Sequence, residues 1–349
     1  MKACECVLIL MPVVGNSRPV YEAHEKMASA AGGDCSHDCK HGDSHHEHEP
    51  EECPHTCKHS DADPCTTDPG VEDSCDYDRM IFAEIEAMGY KDSDTIKPED
   101  LFEHDMMHFM GTAPMDAAIQ HLKIDASHKV LDVGSGYGGP ARYLVLKTGC
   151  SVVGVDSTQT SHDIGQTLTK RCEMADKVSH VCGKMEDIDI GKDKFDSALV
   201  VMTLFHVKWE TRVKLLENVG RHLKPGGRLM VEEWVKKSDL SDEQVAYITK
   251  CGAPFITPET IATIEEEKKF LQDAGFKVSA VQDISEDMQA AAFHEVEKLQ
   301  KNKEKFVRLH GQAMYDDNLP FYQLLTELWP LGYLFCVRVI AQNGSDIPK

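Results

Sequence analysis

The sequence predicts an α/β domain built on a doubly wound, seven-stranded sheet whose last strand is antiparallel. One observation is the apolar run at 130–133, which breaks into a glycine cluster and is followed by a helix-compatible segment and a second β-branched run at 152–156. Another is that apolar runs and amphipathic segments go on alternating along the chain to residue 283. This alternation is typical of a sheet with helices on both faces.

The remaining elements are predicted from the period of the apolar residues and from the positions of glycine and proline. A helical stretch at about 286–329, with a break near 316–320, separates the last two strands and is interpreted as a lid insertion. Strands are expected at 130–133, 152–156, 178–182, 195–202, 228–234, 276–283 and 333–341, and helices at 80–88, 98–110, 141–147, 160–175, 209–223 and 259–274.

The glycine cluster after the first strand is the main functional signal. Glycines at 134, 136 and 138 let a ligand approach the backbone closely, because no Cβ stands in the way. Gly134, Gly136 and Gly139 also satisfy the GxGxxG pattern of dinucleotide folds. However, Asp132 beside the cluster would repel phosphate, and Pro140 removes an N–H donor from the helix start. The pattern therefore favours a cationic ligand over a nicotinamide cofactor.

The string LDVGSGYGG at 131–139 resembles the first motif, D/E-x-G-x-G-x-G, of class I S-adenosylmethionine-dependent methyltransferases. It is most similar to the glycine/sarcosine/dimethylglycine and phosphoethanolamine N-methyltransferase branch. The Leu-Lys-Pro-Gly-Gly turn at 223–227, just before a strand, resembles the same family. The resemblance covers about residues 100–342. It implies S-adenosylmethionine as cofactor and a small-molecule methyl acceptor, whose methylated atom is expected to be an amine or amino acid nitrogen.

The resemblance also assigns roles to single residues. It places the methionine part of the cofactor near Asp132, Gly134, Gly136 and Gly138, the ribose at Asp156 and the adenine at Met185. Where the family has an acid at the end of the third strand, this chain has Cys182, so Glu186 or Asp187 is expected to substitute for it.

Two residues are candidates for the chemistry itself. His206 follows the fourth strand, where its imidazole could act as a base or as a positioning group. Tyr137 lies in the glycine loop and could contact the substrate or the methionine carboxylate.

The covering segments are interpreted from the same resemblance. His104 and His108 lie four residues apart on the helix expected at 98–110, a metal-pair spacing for which a cofactor lid or plain packing is the preferred explanation. The lid insertion supplies aromatic side chains that suit methylated ammonium groups, although core packing remains open for each of them. These aromatic residues are Tyr315, Phe321, Tyr322 and Trp329.

Composition limits the classes of partner. A net charge of −22 disfavours nucleic acid and anionic membranes, while leaving a small cationic or zwitterionic substrate open. No apolar run approaches the ~20 residues that span a bilayer. The later cysteines are interpreted as core thiols of a reduced, cytoplasmic enzyme. These are Cys150, Cys172, Cys182, Cys251 and Cys336.

Residues 1–78 are expected to form a disordered, Cys/His-rich tail, separate from a methyltransferase domain at 79–349. The segment 35–43 recurs at 53–61, and each copy offers thiolate and imidazole ligands that suit zinc or another soft metal. The predicted ligands are Cys35, His37, Cys39, His41, Cys53, His55, Cys57 and His59.

Two alternatives remain open from the sequence. One is an arsenite or thiol methyltransferase, which the number of thiols suggests, although the core shows no obvious thiol triad. The other is a metal-buffering or metal-sensing protein whose methyltransferase core is secondary. The sequence does not determine the methyl acceptor, the number of methyl groups transferred or the oligomeric state.

Overall fold

A computed structural model describes residues 75–192, 194–250 and 260–344. Within them, seven strands form one sheet in the order β3-β2-β1-β4-β5-β7-β6. The first five strands are parallel to one another, and β7 runs antiparallel to both of its neighbours, β5 and β6. The predicted fold class is therefore confirmed for this part of the chain. Residues 1–74 of the predicted tail, with all of its predicted metal ligands, lie outside the described residues, whereas residues 75–78 belong to the first helix, Cys75–Ala87.

The strands lie where the sequence predicts them, whereas the helices Ala113–Leu122 and Asp242–Lys250 were not predicted from it. The strands are β1 (Lys129–Val133), β2 (Ser151–Asp156), β3 (Val178–Cys182), β4 (Phe195–Val201), β5 (Leu223–Lys236), β6 (Phe276–Asp283) and β7 (Leu334–Asn343). The helices are α1 (Cys75–Ala87), α2 (Pro98–Leu101), α3 (Ala113–Leu122), α4 (Gly139–Thr148), α5 (Gln159–Arg171), α6 (Trp209–His222), α7 (Asp242–Lys250), α8 (Ile264–Asp273), α9 (Ser285–Lys301), α10 (Lys303–His310) and α11 (Gln312–Leu328).

The sheet is covered on both faces because successive side chains of a strand point to opposite sides. Val130 of β1 belongs to one buried cluster, which includes side chains of α3, α4 and the lid helices. Its neighbour Leu131 belongs to the second, which includes side chains of α6 and α8. The central strands are apolar on both sides, as expected for parallel strands buried between two helical layers.

The chain order brings the ends of β1, β2 and β4 together. β1 lies between β2 and β4 in register, so Val133 is opposite both Val155 and Val200. The loops that leave these strands therefore meet at one edge, the carboxyl edge at which open α/β sheets bind ligands.

The lid insertion between β6 and β7 consists of α9, α10 and α11. The predicted break near 316–320 is wrong, because α11 continues through Pro320. Proline removes one helical hydrogen bond, but the helix buries Phe321, Leu324 and Leu325 beyond it. The interruptions lie instead at Asn302 and at Gly311, whose φ of 89° is accessible to glycine.

Two predicted helices differ in extent. The helix expected at 98–110 ends at Leu101, because the following residues pack over the glycine cluster and the backbone oxygen of Asp105 lies 2.4 Å from where a Cβ on Gly139 would be. The helix expected from residue 259 begins at Ile264, where Thr263 and Glu266 form a capping box.

The cysteine prediction holds in part. Cys150, Cys172 and Cys336 are free and buried. Cys182 is disulfide-bonded, so it is not the free core thiol that the sequence predicts. Cys251 lies outside the described residues.

Candidate functional site

Two other segments pack closely against the glycine turn between β1 and α4. Gly134 and Gly136 have φ of 74° and 50°. A Cβ on Gly134 would lie 2.2 Å from Oγ1 of Thr203, and one on Gly136 would lie 2.6 Å from Sδ of Met107. Gly134 therefore requires glycine for space and for backbone conformation, whereas at Gly136 the flexible end of Met107 can shift and the positive φ is the main requirement.

Asp132 lies at the carboxyl end of β1, directly before this turn. Its side chain is buried, with 3 % of the residue exposed, and its Oδ2 atom has no hydrogen-bond partner. Burial, and then the charge of Asp156, raise its pKa to about 7. A buried carboxylate of this kind would gain from a cationic ligand, since a positive charge would offset its desolvation.

Asp156 ends β2 and already orders the turn. Its Oδ2 accepts a hydrogen bond from the backbone N–H of Gly136 at 2.9 Å, and its Oδ1 accepts one from Thr158 at 2.9 Å. Burial raises the pKa of this carboxyl, and the two backbone donors oppose that rise. The predicted contact with a ribose stays a prediction.

A buried polar network supports the turn from behind. Nη2 of Arg142 donates to the carbonyl oxygen of Tyr137 and to Oδ2 of Asp105, both at 2.7 Å. Its Nη1 donates to Oγ1 of Thr169, which lies 2.8 Å from Nε2 of His180. Because Arg142 is fully buried, this network fixes the turn to the covering segment and to α5 at once.

The ring of His180 fits here because Gly138 and Gly165 have no side chains. A Cβ on Gly138 would lie 2.4 Å from its Cε1 atom, and one on Gly165 would lie 3.0 Å from it. Gly138, which precedes α4, is therefore a packing position for the network and not only a candidate ligand contact.

His206 lies on a single 3-10 turn, Leu204–His206, that follows β4. The ring is accessible to solvent, yet the protein surrounds it on most sides, and this desolvation lowers its pKa to about 4. The imidazole is consequently neutral at pH 7. It can accept a hydrogen bond, but it is a weak base.

The turn carrying His206 is anchored to β5 by Glu233. Its Oε2 accepts from the N–H of Phe205 at 3.1 Å, and its Oε1 accepts from Trp234 at 3.0 Å. The Phe205 ring lies 3.9 Å from that of His206 and stacks on Trp234 at 5.3 Å. Burial, and then the charge of Glu267, raise the pKa of Glu233 to about 8.

Two predicted adenine contacts follow β3. Met185 is buried in the second core cluster, which also includes Val133 and Val155, and its carbonyl accepts from Nδ2 of Asn218 at 2.7 Å. Glu186 is partly exposed and lines a surface cavity of about 460 Å³ with Asn218.

Tyr137 occupies the middle of the glycine turn, but its side chain is buried in the first core cluster. A contact between Tyr137 and a ligand stays a prediction. The four lid aromatics are also buried in this cluster, and Phe321 lies 6.1 Å from Phe109 of the covering segment.

The covering segment, residues 102–111, lies across the glycine turn. His104 is partly exposed, whereas His108 is buried and neither of its ring nitrogens has a hydrogen-bond partner. They do not share a helix, because α2 ends before them. In the part of the chain that the structure describes, no cluster of three or more metal-ligating side chains occurs.

Several site residues were not predicted from the sequence. Asp105, Arg142, Thr169 and His180 are distant along the chain, so no local pattern indicates that they meet. Glu233 had a weak signal, since it is one of two consecutive acids, Glu232 and Glu233, in a mostly apolar part of the fifth strand.

Comparison with known proteins finds similarity to methyltransferases over part of the chain. Residues 130–227 match a family model described as a methyltransferase domain. Methyltransferase GfsG of Streptomyces halstedii is 27% identical over 167 residues, which cover 48% of this chain and 59% of that protein. Phosphoethanolamine N-methyltransferase 1 of Triticum aestivum is 25% identical over 246 residues, which cover 70% of this chain and 47% of that protein. The chain thus spans about half the length of these relatives.

Solved structures show the same fold. Phosphoethanolamine N-methyltransferase 2 of Haemonchus contortus, in complex with phosphomonomethylethanolamine and S-adenosylhomocysteine, superposes with a TM-score of 0.62 at 19% identity, covering 75% of this chain and 59% of that one. A Galdieria sulphuraria protein, provisionally assigned as a sarcosine dimethylglycine methyltransferase, gives a TM-score of 0.61 at 14% identity, covering 77% of this chain and 99% of that one.

None of the described helices is long and apolar enough to cross a bilayer.

Proposed function

We propose, from the premise that this chain carries a methyltransferase domain of the class I fold, that it transfers a methyl group from S-adenosylmethionine to a small molecule. The acceptor atom we propose is an amine or amino acid nitrogen. The names of the phosphoethanolamine N-methyltransferase relatives support a nitrogen acceptor. They do not identify which amine, since the shared segment is about half of each relative.

The observation that carries the proposal is Asp132. A buried carboxylate with an unpartnered oxygen stands beside a glycine turn in which a Cβ on Gly134 would clash with Thr203. A phosphate ligand would add a second negative charge next to it, whereas a sulfonium or an α-amino group would compensate it. The acid therefore distinguishes S-adenosylmethionine from a nicotinamide nucleotide.

The remaining residues fit the other parts of such a cofactor. Gly134, Gly136 and Gly138 would admit its methionine part, Asp156 would accept hydrogen bonds from the ribose, and Met185 would pack on the adenine, with Glu186 near its amine. When bound, the cofactor supplies a methyl group already activated by a positively charged sulfur. The protein then has to align the acceptor, keep its nitrogen unprotonated and exclude water.

His206 is suited to the acceptor side of this reaction. The acceptor nitrogen forms the new C–N bond with its lone pair as the C–S bond breaks, and S-adenosylhomocysteine leaves. With a pKa lowered to about 4, the neutral ring would accept an N–H hydrogen bond and direct that lone pair. Its weak basicity favours positioning over proton removal, so the departing proton passes to solvent after transfer.

The experiment is a binding and turnover assay on the full chain. Isothermal titration with S-adenosylmethionine and with NAD, followed by mass spectrometry of small amines, thiols and phenols, identifies cofactor and acceptor class. The expected result is binding of S-adenosylmethionine, weaker binding by Asp156→Ala, and a methyl gain on an amine. Binding of NAD, or of neither compound, contradicts the proposal, while a methyl gain on a thiol alone restores the thiol alternative.

The N-terminal repeat supports a second proposal, that the tail binds a soft metal through Cys35, His37, Cys39, His41, Cys53, His55, Cys57 and His59. The support is the two spaced sets of thiolate and imidazole ligands. Zinc titration of the full chain and of a chain lacking 1–74 tests it. Equal zinc uptake by both would rule it out, and loss of methyl transfer after the deletion would favour the metal-coupled alternative.

A further inference from the structure

Arg212, near the start of α6, is fully buried and binds three separate segments of the chain. Its Nε donates to the carbonyl oxygen of Val207 at 3.0 Å, its Nη2 to that of Thr260 at 2.5 Å, and its Nη1 to Oε1 of Glu267 at 2.8 Å. Taking a guanidinium out of water is costly, so a buried arginine needs acceptors of this kind. The proposed function leaves this network without a role, although Val207 directly follows His206.

The single 3-10 turn that carries His206 is held by buried groups on both flanks. Before His206, the N–H of Phe205 donates to Oε2 of Glu233 at 3.1 Å. After it, the carbonyl oxygen of Val207 accepts from Arg212. A 3-10 turn this short has few hydrogen bonds of its own, so these two contacts from outside fix the direction in which the imidazole of His206 leaves the backbone.

Glu267 of α8 holds the guanidinium in place. Both side chains of this ion pair are buried, with 0 % exposed for Arg212 and 2 % for Glu267. Oε2 of Glu267 has no hydrogen-bond partner, and burial raises the pKa of this carboxyl to about 7. A buried ion pair often gives no more stability than apolar side chains of the same size. Stability alone therefore does not account for the pair, whereas the contact with Val207 points to a task at the His206 turn.

We propose that Arg212 and Glu267 are positioning residues for His206. They fix the carbonyl group after it, as Glu233 fixes the N–H before it, and so direct its imidazole toward the methyl acceptor. This inference rests on the proposed function and adds two residues to the acceptor side of that reaction. A group that moves by about 1 Å can cost about a hundredfold in rate, so a change at Arg212 should reach the chemistry without touching a ligand.

The test is a double-mutant cycle between Arg212→Lys and His206→Gln, with glycine and ethanolamine as acceptors. Lysine keeps the positive charge beside Glu267 but has no fork to bind three acceptors at once. We expect Arg212→Lys to lower kcat about tenfold or more in the unaltered protein but less than about threefold in the His206→Gln background, with the affinity for S-adenosylmethionine within about threefold in both. An equal loss of kcat in both backgrounds, or no loss in either, would overturn the inference.

Arg338→Met is the matched control, since it breaks another mostly buried ion pair, with Oε1 of Glu232 at 2.5 Å, whose contacts lie on the sheet. It should lower the thermal midpoint and leave kcat within about threefold. A loss of kcat as large as that of Arg212→Lys would overturn the inference, because any broken ion pair would then slow the reaction.

Glu267→Gln and Glu267→Asp cover the case in which Arg212→Lys does not fold. Glutamine keeps the reach to Nη1 of Arg212, whereas aspartate keeps the charge and is one methylene group shorter. The kcat of Glu267→Gln should therefore be at least about threefold higher than that of Glu267→Asp. Equal values would overturn the inference.

A readout that needs no turnover separates this inference from the proposed function. The NMR signals of the His206 ring, recorded without an acceptor, should shift in Arg212→Lys and Glu267→Asp and stay in place in Arg338→Met. Unchanged His206 signals in Arg212→Lys would overturn the inference whatever the kinetics. If the unaltered protein methylates neither amine, the proposed nitrogen acceptor fails, and the ring signals alone decide whether the pair positions His206.

Discussion

Asp132→Asn should act in opposite directions on the free protein and on the cofactor complex. In the folded protein, burial raises the Asp132 pKa from 3.8 to about 7. Between these two values the folded protein holds a proton that the unfolded chain has lost. Stability therefore falls as pH rises through this window and stays low above it. Below about pH 4 the group is protonated in both states and contributes no pH dependence.

The magnitude follows from the shift. A rise from 3.8 to about 7 at about 1.4 kcal/mol per pH unit corresponds to about 4 kcal/mol as an upper bound. Asparagine has nearly the same shape and no charge to desolvate. We therefore expect the variant to be about 2–4 kcal/mol more stable than the unaltered protein above about pH 7, with the difference vanishing near pH 4.

The assay is thermal or urea unfolding across this pH range, paired with isothermal titration of S-adenosylmethionine. In the titration the variant should bind about tenfold more weakly or worse, because it no longer offsets the ligand's positive charge. Asp125→Asn is a matched control. Hydrogen bonds from Ser127 hold the pKa of that exposed carboxyl below its usual range. The stability difference between Asp125→Asn and the unaltered protein should therefore have the opposite pH dependence. An Asp132→Asn protein that is less stable above about pH 7, or that binds the cofactor equally well, would refute the reasoning.

The other predictions concern the turns at the sheet edge. His206→Gln should lower kcat about tenfold or more with cofactor affinity retained. Since the His206 pKa is about 4, kcat/KM of the unaltered protein should show no inflection near pH 6.5. An inflection there that disappears in the variant would make His206 a titrating base. Gly134→Ala should abolish cofactor binding through its clash with Thr203. Gly191 has a φ of 93° and nothing within 4 Å, so Gly191→Ala should cost only the backbone strain of about 1–2 kcal/mol. Equal effects of the two changes in circular dichroism and titration would remove the packing argument. Glu233→Leu should reduce kcat by loosening the His206 turn. Glu233→Gln should largely retain kcat, because burial raises the Glu233 pKa to about 8 and a neutral side chain is therefore already tolerated there. Equal kcat in both variants would show that Glu233 does not position the turn.

Local pattern predicted the parts of the fold that depend on burial period. The strands at 130–133 and 178–182 were expected from their apolar runs, and the structure places β1 and β3 there. The antiparallel last strand was also predicted correctly. Local pattern failed where a long-range contact overrides propensity. The helix expected at 98–110 stops at Leu101 because its continuation is held by Arg142, through Asp105.

The candidate site divides in the same way. The sequence by itself determined the glycine turn, Asp132, Asp156 and the end of β4, since strand ends and glycines are local features and the carboxyl ends of adjacent parallel strands share one edge. Only the tertiary structure decided which side chains stand around them. The burial of His108 and the meeting of Arg142 with His180 depend on segments far apart in the chain, whose desolvation and hydrogen bonds exist only once the domain is packed.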